Sequence, residues 1–220
     1  MVKSGSTNGK KLTARVGVVA AGVVSPLGFG LRETLDSLRE ARDCVSPVSR
    51  FSVAGCRCKT AGQVPDERLL VERHDGGHAR RLHRASHMMI HALGEALGQH
   101  PLEPELMVVG TTSGGMSYGE DYYRSLNKDR SLRHAPTWVA NYPAQKAAID
   151  ALEAFEISVP CQVIANACAS GTNAIGHAFE CVRSGRYQRV LTGGYDALSE
   201  LVFVGFDSLQ ASTPEKMPPV

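Results

Sequence analysis

The residue of this sequence best placed for covalent chemistry is Cys168. It lies between two alanines, after an apolar run at 163–165 that predicts a short buried strand and before a predicted helix. Small flanking residues allow a sharp backbone turn and close approach of a substrate. The positive end of the following helix favours thiolate, the nucleophilic form of cysteine, over thiol. The pattern indicates a nucleophile, although a small structural cysteine can have the same neighbours.

The residues around Cys168 resemble the active-site segment of a known family. Residues 166–176 read Asn-Ala-Cys-Ala-Ser-Gly-Thr-Asn-Ala-Ile-Gly, which is similar to the elongating β-ketoacyl synthases of the thiolase superfamily. The resemblance runs from about residue 15 to residue 213. It implies that Cys168 accepts an acyl chain as a thioester and passes it to a malonyl-derived carbanion on an acyl carrier protein. Further matching positions are Ala178, Arg183-Ser184-Gly185, residues 190–194 and residues 205–209.

The resemblance implies an α/β, thiolase-like fold of two similar halves, of which this chain corresponds to the N-terminal one. Each half is a mainly parallel five-stranded sheet with helices on both faces. The second half supplies two histidines, in His-Gly-Thr-Gly-Thr-like and Asn-Ser-Phe-Gly-like motifs, and a second oxyanion donor; neither motif occurs here. We therefore expect a polar tail at 1–13 and a synthase N-terminal domain at 14–220 that does not condense alone.

The resemblance also assigns a pocket residue and partners. Ser113, in the glycine-rich turn 112–116, stands where many elongating relatives carry a bulky apolar residue at the far end of the acyl tunnel. Ser113 is thus a predicted substrate-binding residue of the acyl pocket. Chain-length-factor homologues lack the cysteine, so Cys168 argues against that inactive class. The expected partners are an acyl carrier protein and a second copy, paired through the strand from Val159 to Ala165.

The elements that must position Cys168 follow from the apolar pattern. Alternating strands and helices predict a mainly parallel sheet. The helix at 170–184 is apolar on most sides and is expected to be buried. Gly171 and Gly176 in it suggest close backbone packing, and Gly185 is placed to cap its end. The predicted strands are 15–24, 106–110, 159–165 and 189–192, with a candidate fifth at 201–206; the other predicted helices are 30–41, 79–97 and 141–155.

Composition narrows the class of protein. The chain has 220 residues, 43% hydrophobic and 21% charged, with a net charge of +2, so nothing in it favours nucleic-acid binding. Six cysteines without a regular framework indicate reduced thiols of a cytoplasmic protein. The apolar run 16–24 resembles a secretion signal, but a turn follows it rather than a small-residue cleavage site, so a buried strand is expected. No stretch has the length of a membrane span.

Several other patterns have weaker functional interpretations. Gly28-Phe29-Gly30 and residues 110–115 lack the remaining residues of nucleotide-binding loops, so no cofactor is expected. Cys56, Cys58, His74 and His78 are four potential zinc ligands, but the cysteine spacing is too tight for the usual zinc site, which favours a solvated loop.

Histidines and arginines are concentrated between Arg73 and His91, with four arginines, five histidines and one aspartate. A solvated helix face is the simpler interpretation, and a docking patch for an acidic partner is the functional one. His177 lies nine residues past Cys168, about 13 Å along a helix. It is therefore expected to be a packed or hydrogen-bonded core histidine rather than the base for Cys168.

Three alternatives to an elongating synthase stay open. The chain could be another thiolase-fold condensing enzyme, such as a thiolase or an initiating synthase. It could be a non-catalytic dimerisation or carrier-binding module that keeps a relic cysteine. It could also be an unrelated cysteine hydrolase, whose histidine and aspartate the sequence does not identify.

Overall fold

The protein has a mixed α/β architecture, seen in a computed structural model that describes residues 15–69, 82–101, 103–128 and 139–215. The tail predicted at 1–13 lies outside this part. Two single 3₁₀ turns, Asp66–Arg68 and Ala167–Ala169, accompany the regular elements. In chain order these elements are β1 (Val24–Ser25), β2 (Gly28–Phe29), α1 (Leu31–Arg39), β3 (Val45–Pro47), β4 (Thr60–Gly62), α2 (Arg84–Gln99), β5 (Leu106–Gly110), α3 (Met116–Lys128), α4 (Lys146–Ala154), β6 (Cys161–Ile164), α5 (Ser170–Arg183), β7 (Val190–Gly194) and α6 (Glu200–Ser208).

A parallel three-stranded sheet in the order β6-β5-β7 forms the centre. All five residues of β5 are buried, which explains the continuous apolar run that predicted this strand at 106–110. Met107 and Val109 pack with residues of α2 and α4, whereas Leu106 and Val108 pack with residues of α5. β6 and β7 confirm two more predicted strands. β6 is only half-buried, because it is an edge strand of the described sheet.

Helix α5 is buried along one face and exposed along the other. The buried face carries small side chains at helical spacing, Ser170, Ala174, Ala178 and Cys181. On the opposite face, Ile175 is 53% and Phe179 is 44% exposed. The expectation of burial on most sides is therefore wrong for the described residues, where α5 packs chiefly on β5 and β7.

The first turn of α5 lies directly on the ends of two strands. A Cβ at Gly110, the last residue of β5, would overlap the backbone of Ser170. A Cβ at Gly194, the last residue of β7, would lie 3.2 Å from Gly171 Cα. The predicted close packing is thus confirmed at Gly171, but at Gly176 a Cβ would meet no atom within 4 Å.

The other end of α5 stops as predicted. Gly185 has φ of +74°, and its N–H donates to the Val182 carbonyl, while Arg186 donates to Cys181. This pair of bonds is the Schellman arrangement that ends many helices at a left-handed glycine.

The strand predicted at 15–24 is wrong for most of its length. Residues 15–23 have no strand pairing, and Val18 is 90% exposed. The N–H groups of Ala21 and Val23 donate instead to the side chains of Gln99 and Glu95 on α2. These side-chain acceptors hold the segment against a helix, and only β1 forms a short antiparallel pair with β2.

The candidate fifth strand at 201–206 is also wrong, because this segment lies within α6. Phe203 and Asp207, four residues apart, form its buried face. Glu120 on α3 accepts the N–H groups of Glu200 and Leu201, which are among the unpaired donors of a first helical turn. The irregular excursion predicted at 43–63 contains the antiparallel β3–β4 pair.

We expect Gly110→Ala to destabilise the protein by about 3 kcal/mol or more, because the new methyl group has no space beneath α5. Gly176→Ala is the matched control on the exposed side of α5, where alanine should stabilise the helix by up to about 1 kcal/mol. Urea unfolding of both variants measures the difference. Equal effects would contradict the close contact.

Candidate active site

Cys168 occupies the turn between the carboxyl end of β6 and the start of α5. The 3₁₀ turn Ala167–Ala169 holds it, and it is the one cysteine of the six that is exposed. All six cysteines are free thiols. Burial raises the pKa of Cys161, which makes that half-buried thiol a poorer nucleophile. The exposed position of Cys168 agrees with the predicted role.

The backbone directly before Cys168 has an unusual conformation. Ala167 has φ of +57°, a left-handed conformation that costs a non-glycine residue about 1 kcal/mol or more. Its carbonyl oxygen accepts hydrogen bonds from Thr112 Oγ1 at 2.9 Å and Ser170 Oγ at 2.7 Å. Ser170 Oγ also accepts the Asn166 N–H at 2.9 Å. Two hydroxyl groups therefore fix the peptide that joins Ala167 to Cys168.

The N-terminal end of α5 faces this turn without a side-chain cap. Its N-cap residue, Ala169, makes no side-chain hydrogen bond to the first turn. The first N–H groups of a helix carry a partial positive charge that stabilises negative charge nearby. The arrangement is suited to an oxyanion that forms when a thiolate attacks a carbonyl carbon.

A carboxylate organises the loop that follows β5. Asp196 Oδ1 accepts hydrogen bonds from the N–H groups of Thr112 and Ser113, at 3.0 and 2.7 Å, and from the hydroxyls of Thr111 and Ser113, both at 2.8 Å. Gly114 N–H lies at 3.3 Å. Burial raises the pKa of Asp196, but these hydrogen bonds outweigh it, so the pKa lies below its usual value. The residue is therefore a charged acceptor at neutral pH.

The sequence did not identify Thr112 and Asp196 as site residues. Thr112 follows the end of β5 by two residues, and Asp196 follows the end of β7 by two residues. The carboxyl ends of neighbouring parallel strands meet at one edge of a sheet, where ligands of α/β proteins bind. Polar residues just after two predicted parallel strands were the available signal.

Comparisons with known proteins decide the family. Residues 13–218 match the model of the β-ketoacyl synthase N-terminal domain. The chain belongs to the β-ketoacyl synthase family.

Individual relatives cover the same region. The 3-oxoacyl-[acyl-carrier-protein] synthase 2 of Synechocystis is 29% identical over 207 residues, which are 90% of this chain and 49% of that protein. The ishigamide ketosynthase/chain length factor structure aligns with a TM-score of 0.76 at 24% identity, over 90% of this chain and 51% of that one.

A third match is a type II polyketide synthase acyl carrier protein in complex with its ketosynthase. The TM-score is 0.70 at 21% identity, over 91% of this chain and 50% of that one. These structures share the fold of this chain. The chain spans about half the length of the relatives it matches.

Ser113, the predicted pocket residue, is 8% exposed. Its hydroxyl donates to Asp196, and the Ala197 carbonyl lies 3.4 Å away. Ser113 thus lies in the same loop as Thr112, and its contact with an acyl chain stays a prediction.

His177 does not face Cys168. Its Nε2 lies 3.1 Å from Gln162 Oε1 and 3.6 Å from Cys181 Sγ. The predicted hydrogen bonding is confirmed, but the core position is wrong, because the residue is exposed on α5. His177 lies beside buried Cys181 at the margin of the packed face of α5, where its ring stays exposed and reaches Gln162 on β6.

The described residues cover only the cysteine half of the possible zinc site. Cys58 is buried, and its Sγ lies 3.3 Å from the Thr60 carbonyl. The described residues hold no cluster of three or more metal-ligand side chains. His74 and His78 lie outside the described residues. Among the described helices, none combines the length and the apolar character needed to cross a membrane.

The histidine-rich segment is not a solvated face where the structure describes it. His83 is 1% exposed and caps α2, since its Nδ1 accepts the Ala85 N–H at 3.0 Å. Its Nε2 must then carry the proton and donate to Ser117 Oγ at 2.7 Å. The Arg84 side chain is 9% exposed and pairs with Asp66. His83 and Arg84 are therefore buried rather than solvated. Residues 70–81 of the histidine-rich segment lie outside the described residues.

We expect acid to destabilise the protein through His83. Burial, with the nearby Arg50, lowers the pKa of His83 from 6.5 to about 4. The unfolded chain therefore binds this proton at a higher pH than the folded chain. The stability due to neutral His83 is complete above pH 6.5 and falls by about 3 kcal/mol as the pH drops to 4. Urea unfolding across this window measures the loss.

A matched pair of variants isolates the His83 contribution. His83→Asn keeps a capping oxygen but does not titrate, so its stability should change less between pH 6.5 and 4. His177→Asn removes an exposed histidine and should keep the steep decline. If His83→Asn declines as steeply as the unmodified protein, this origin of the pH dependence is wrong.

Proposed function

We propose that this chain is the cysteine-bearing half of a β-ketoacyl-acyl carrier protein synthase of fatty acid or polyketide biosynthesis. In this role Cys168 accepts an acyl chain, which a complete synthase joins to malonyl-acyl carrier protein by decarboxylative Claisen condensation. The observation that carries the proposal is the exposed Cys168 at the uncapped start of α5. Family membership and the relatives' names support the reaction class.

The first half-reaction needs only groups near Cys168. Its thiolate attacks the carbonyl carbon of an acyl-carrier thioester, and a tetrahedral oxyanion forms beside the N–H groups of the first turn of α5. When the oxyanion collapses, the bond to the carrier sulfur breaks. The acyl group stays on Cys168 Sγ, and the carrier leaves as a thiolate that takes a proton from solvent.

The second half-reaction needs groups that this sequence lacks. Loss of CO₂ from a malonyl thioester places negative charge on the thioester oxygen, which family members stabilise with two histidines of their second half. The motifs that carry these histidines do not occur in the 220 residues. Exposed His177 on α5 bonds Gln162 rather than facing Cys168. We therefore propose that these 220 residues alone do not condense.

The proposed partners are an acyl carrier protein and a second copy of the chain in the cytoplasm. Two names support these partners. The Synechocystis relative is named for an acyl carrier protein, and the ishigamide structure is described as a ketosynthase with a chain length factor. β6 lies at an edge of the described sheet, so its outer side is available for pairing through residues 159–165. Ser113 is proposed to line the far end of the acyl pocket, where its small polar side chain lengthens the pocket or changes its polarity.

A non-catalytic module is the second candidate function. Ile175 and Phe179 leave an apolar face on α5 that another polypeptide could cover. A module that only dimerises or binds a carrier would keep this face without using the thiol. Covalent acylation separates the two functions.

We expect one acyl adduct per chain when the protein is incubated with an acyl-carrier thioester. Intact mass should show the adduct, and Cys168→Ser should abolish it because the attacking sulfur is absent. Cys44→Ser, at a half-buried cysteine in the loop between α1 and β3, should keep it. An unmodified mass in the parent protein would instead favour the non-catalytic module.

We expect no β-ketoacyl product when the 220-residue chain is given both acyl- and malonyl-acyl carrier protein. The missing histidines leave the developing charge unstabilised, so the acyl-enzyme should accumulate. Mass spectrometry of the carrier-bound products checks this. Any condensed product would overturn the prediction of inactivity.

A further inference from the structure

Cys168 is connected to a carboxylate by a short series of hydrogen bonds. Asp196 Oδ1 receives the Thr112 N–H at 3.0 Å, and the Thr112 hydroxyl donates to the Ala167 carbonyl at 2.9 Å. Ala167 is the residue before the nucleophile and has φ of +57°. The loop after β5, the end of β7 and the turn after β6 therefore meet at one peptide group.

Several hydrogen bonds fix the loop that carries Thr112. Asp196 Oδ1 accepts bonds from Thr111, Thr112 and Ser113, and Gly114 N–H also reaches Thr111 Oγ1 at 3.0 Å. Thr111 N–H in turn donates to the Ile164 carbonyl at 3.1 Å. The backbone of Thr112 is thus held between two strands, although its side chain is exposed. Because the backbone of Thr112 is fixed, its hydroxyl is held in place to donate to the Ala167 carbonyl.

The Ala167 carbonyl controls the geometry of the next residue. The plane of the peptide between Ala167 and Cys168 sets the direction of the Cys168 N–H and the position of the Cα from which its side chain extends. A left-handed alanine relaxes toward an ordinary conformation unless its surroundings hold it. The hydroxyls of Thr112 and Ser170 supply these contacts, both to the Ala167 carbonyl oxygen.

We propose that Thr112 and Asp196 are positioning residues for Cys168: Asp196 fixes the loop, and the Thr112 hydroxyl holds Ala167 in its left-handed conformation. The effect of these residues on acyl transfer rests on the proposed function. Their effect on the conformation of Ala167 rests on the geometry alone. Acyl transfer depends on the angle of the thiolate to the carbonyl, whereas a small alkylating reagent needs only access to the sulfur.

The test compares three substitutions. Thr112→Val removes the hydroxyl at nearly constant shape, and Thr112→Ser restores it. Thr192→Val makes the same chemical change at an exposed threonine of β7. Three quantities are measured: the rate of Cys168 acylation by acyl-carrier thioester, its rate of alkylation by iodoacetamide, and the ¹³C shifts of Ala167, assigned by their loss in Ala167→Gly.

For Thr112→Val we expect acylation to slow at least tenfold, alkylation to stay within twofold, and the Ala167 shifts to move toward right-handed values. Thr112→Ser should recover both the shifts and most of the acylation rate, and Thr192→Val should change neither. Asp196→Asn removes the charge of the acceptor, so its acylation rate should fall between those of the parent and Thr112→Val.

Two results would overturn the inference. Unchanged Ala167 shifts in Thr112→Val would show that the hydroxyl does not hold the turn. Faster alkylation together with a lower melting temperature would show a general loosening instead of a positioning role. If the parent chain takes no acyl group, the proposed function fails, and the Ala167 shifts alone then decide the inference in either direction.

Discussion

The contact of the α5 backbone with the ends of β5 and β7 determines where Cys168 lies. Gly110 leaves no room for a side chain beneath Ser170, and Gly194 lies against Gly171. Because helix and strands touch backbone to backbone, the start of α5 lies at the carboxyl edge of the sheet. Cys168, two residues before the helix, therefore has its place fixed by main-chain packing and not by its own side chain.

Polar residues at the same edge complete the site. Parallel strands bring their carboxyl ends together, so a loop after one strand can be held by a residue after another. Asp196 holds the loop after β5 in this way, and Thr112 in that loop donates a hydrogen bond to Ala167 in the turn after β6. The edge of the sheet that bears the exposed Cys168 thiol is thus held by side-chain hydrogen bonds as well as by main-chain packing.

The local pattern of apolar residues along the sequence predicted the elements that bury a continuous apolar surface. β5 matches its predicted bounds because all five residues are buried. The neighbours of Cys168 predicted a turn between a strand and a helix, and Cys168 lies in such a turn. Residues 15–23 and 201–206 were mispredicted because apolar composition does not reveal whether a partner strand is present or whether a side chain such as Glu120 caps a helix. Thr112 and Asp196 are joined by contacts between segments far apart in the sequence, and buried His83 is hydrogen-bonded to Ser117; a sequence does not display these contacts.

The divided character of α5 has a practical consequence for handling the protein. Ile175 and Phe179 expose large apolar side chains to water, whereas the sheet-facing side of the same helix is made of small residues. Salts such as sulfate strengthen apolar attraction, and cooling weakens it. The yield of unaggregated protein should therefore improve at low temperature and in the absence of strongly salting-out ions.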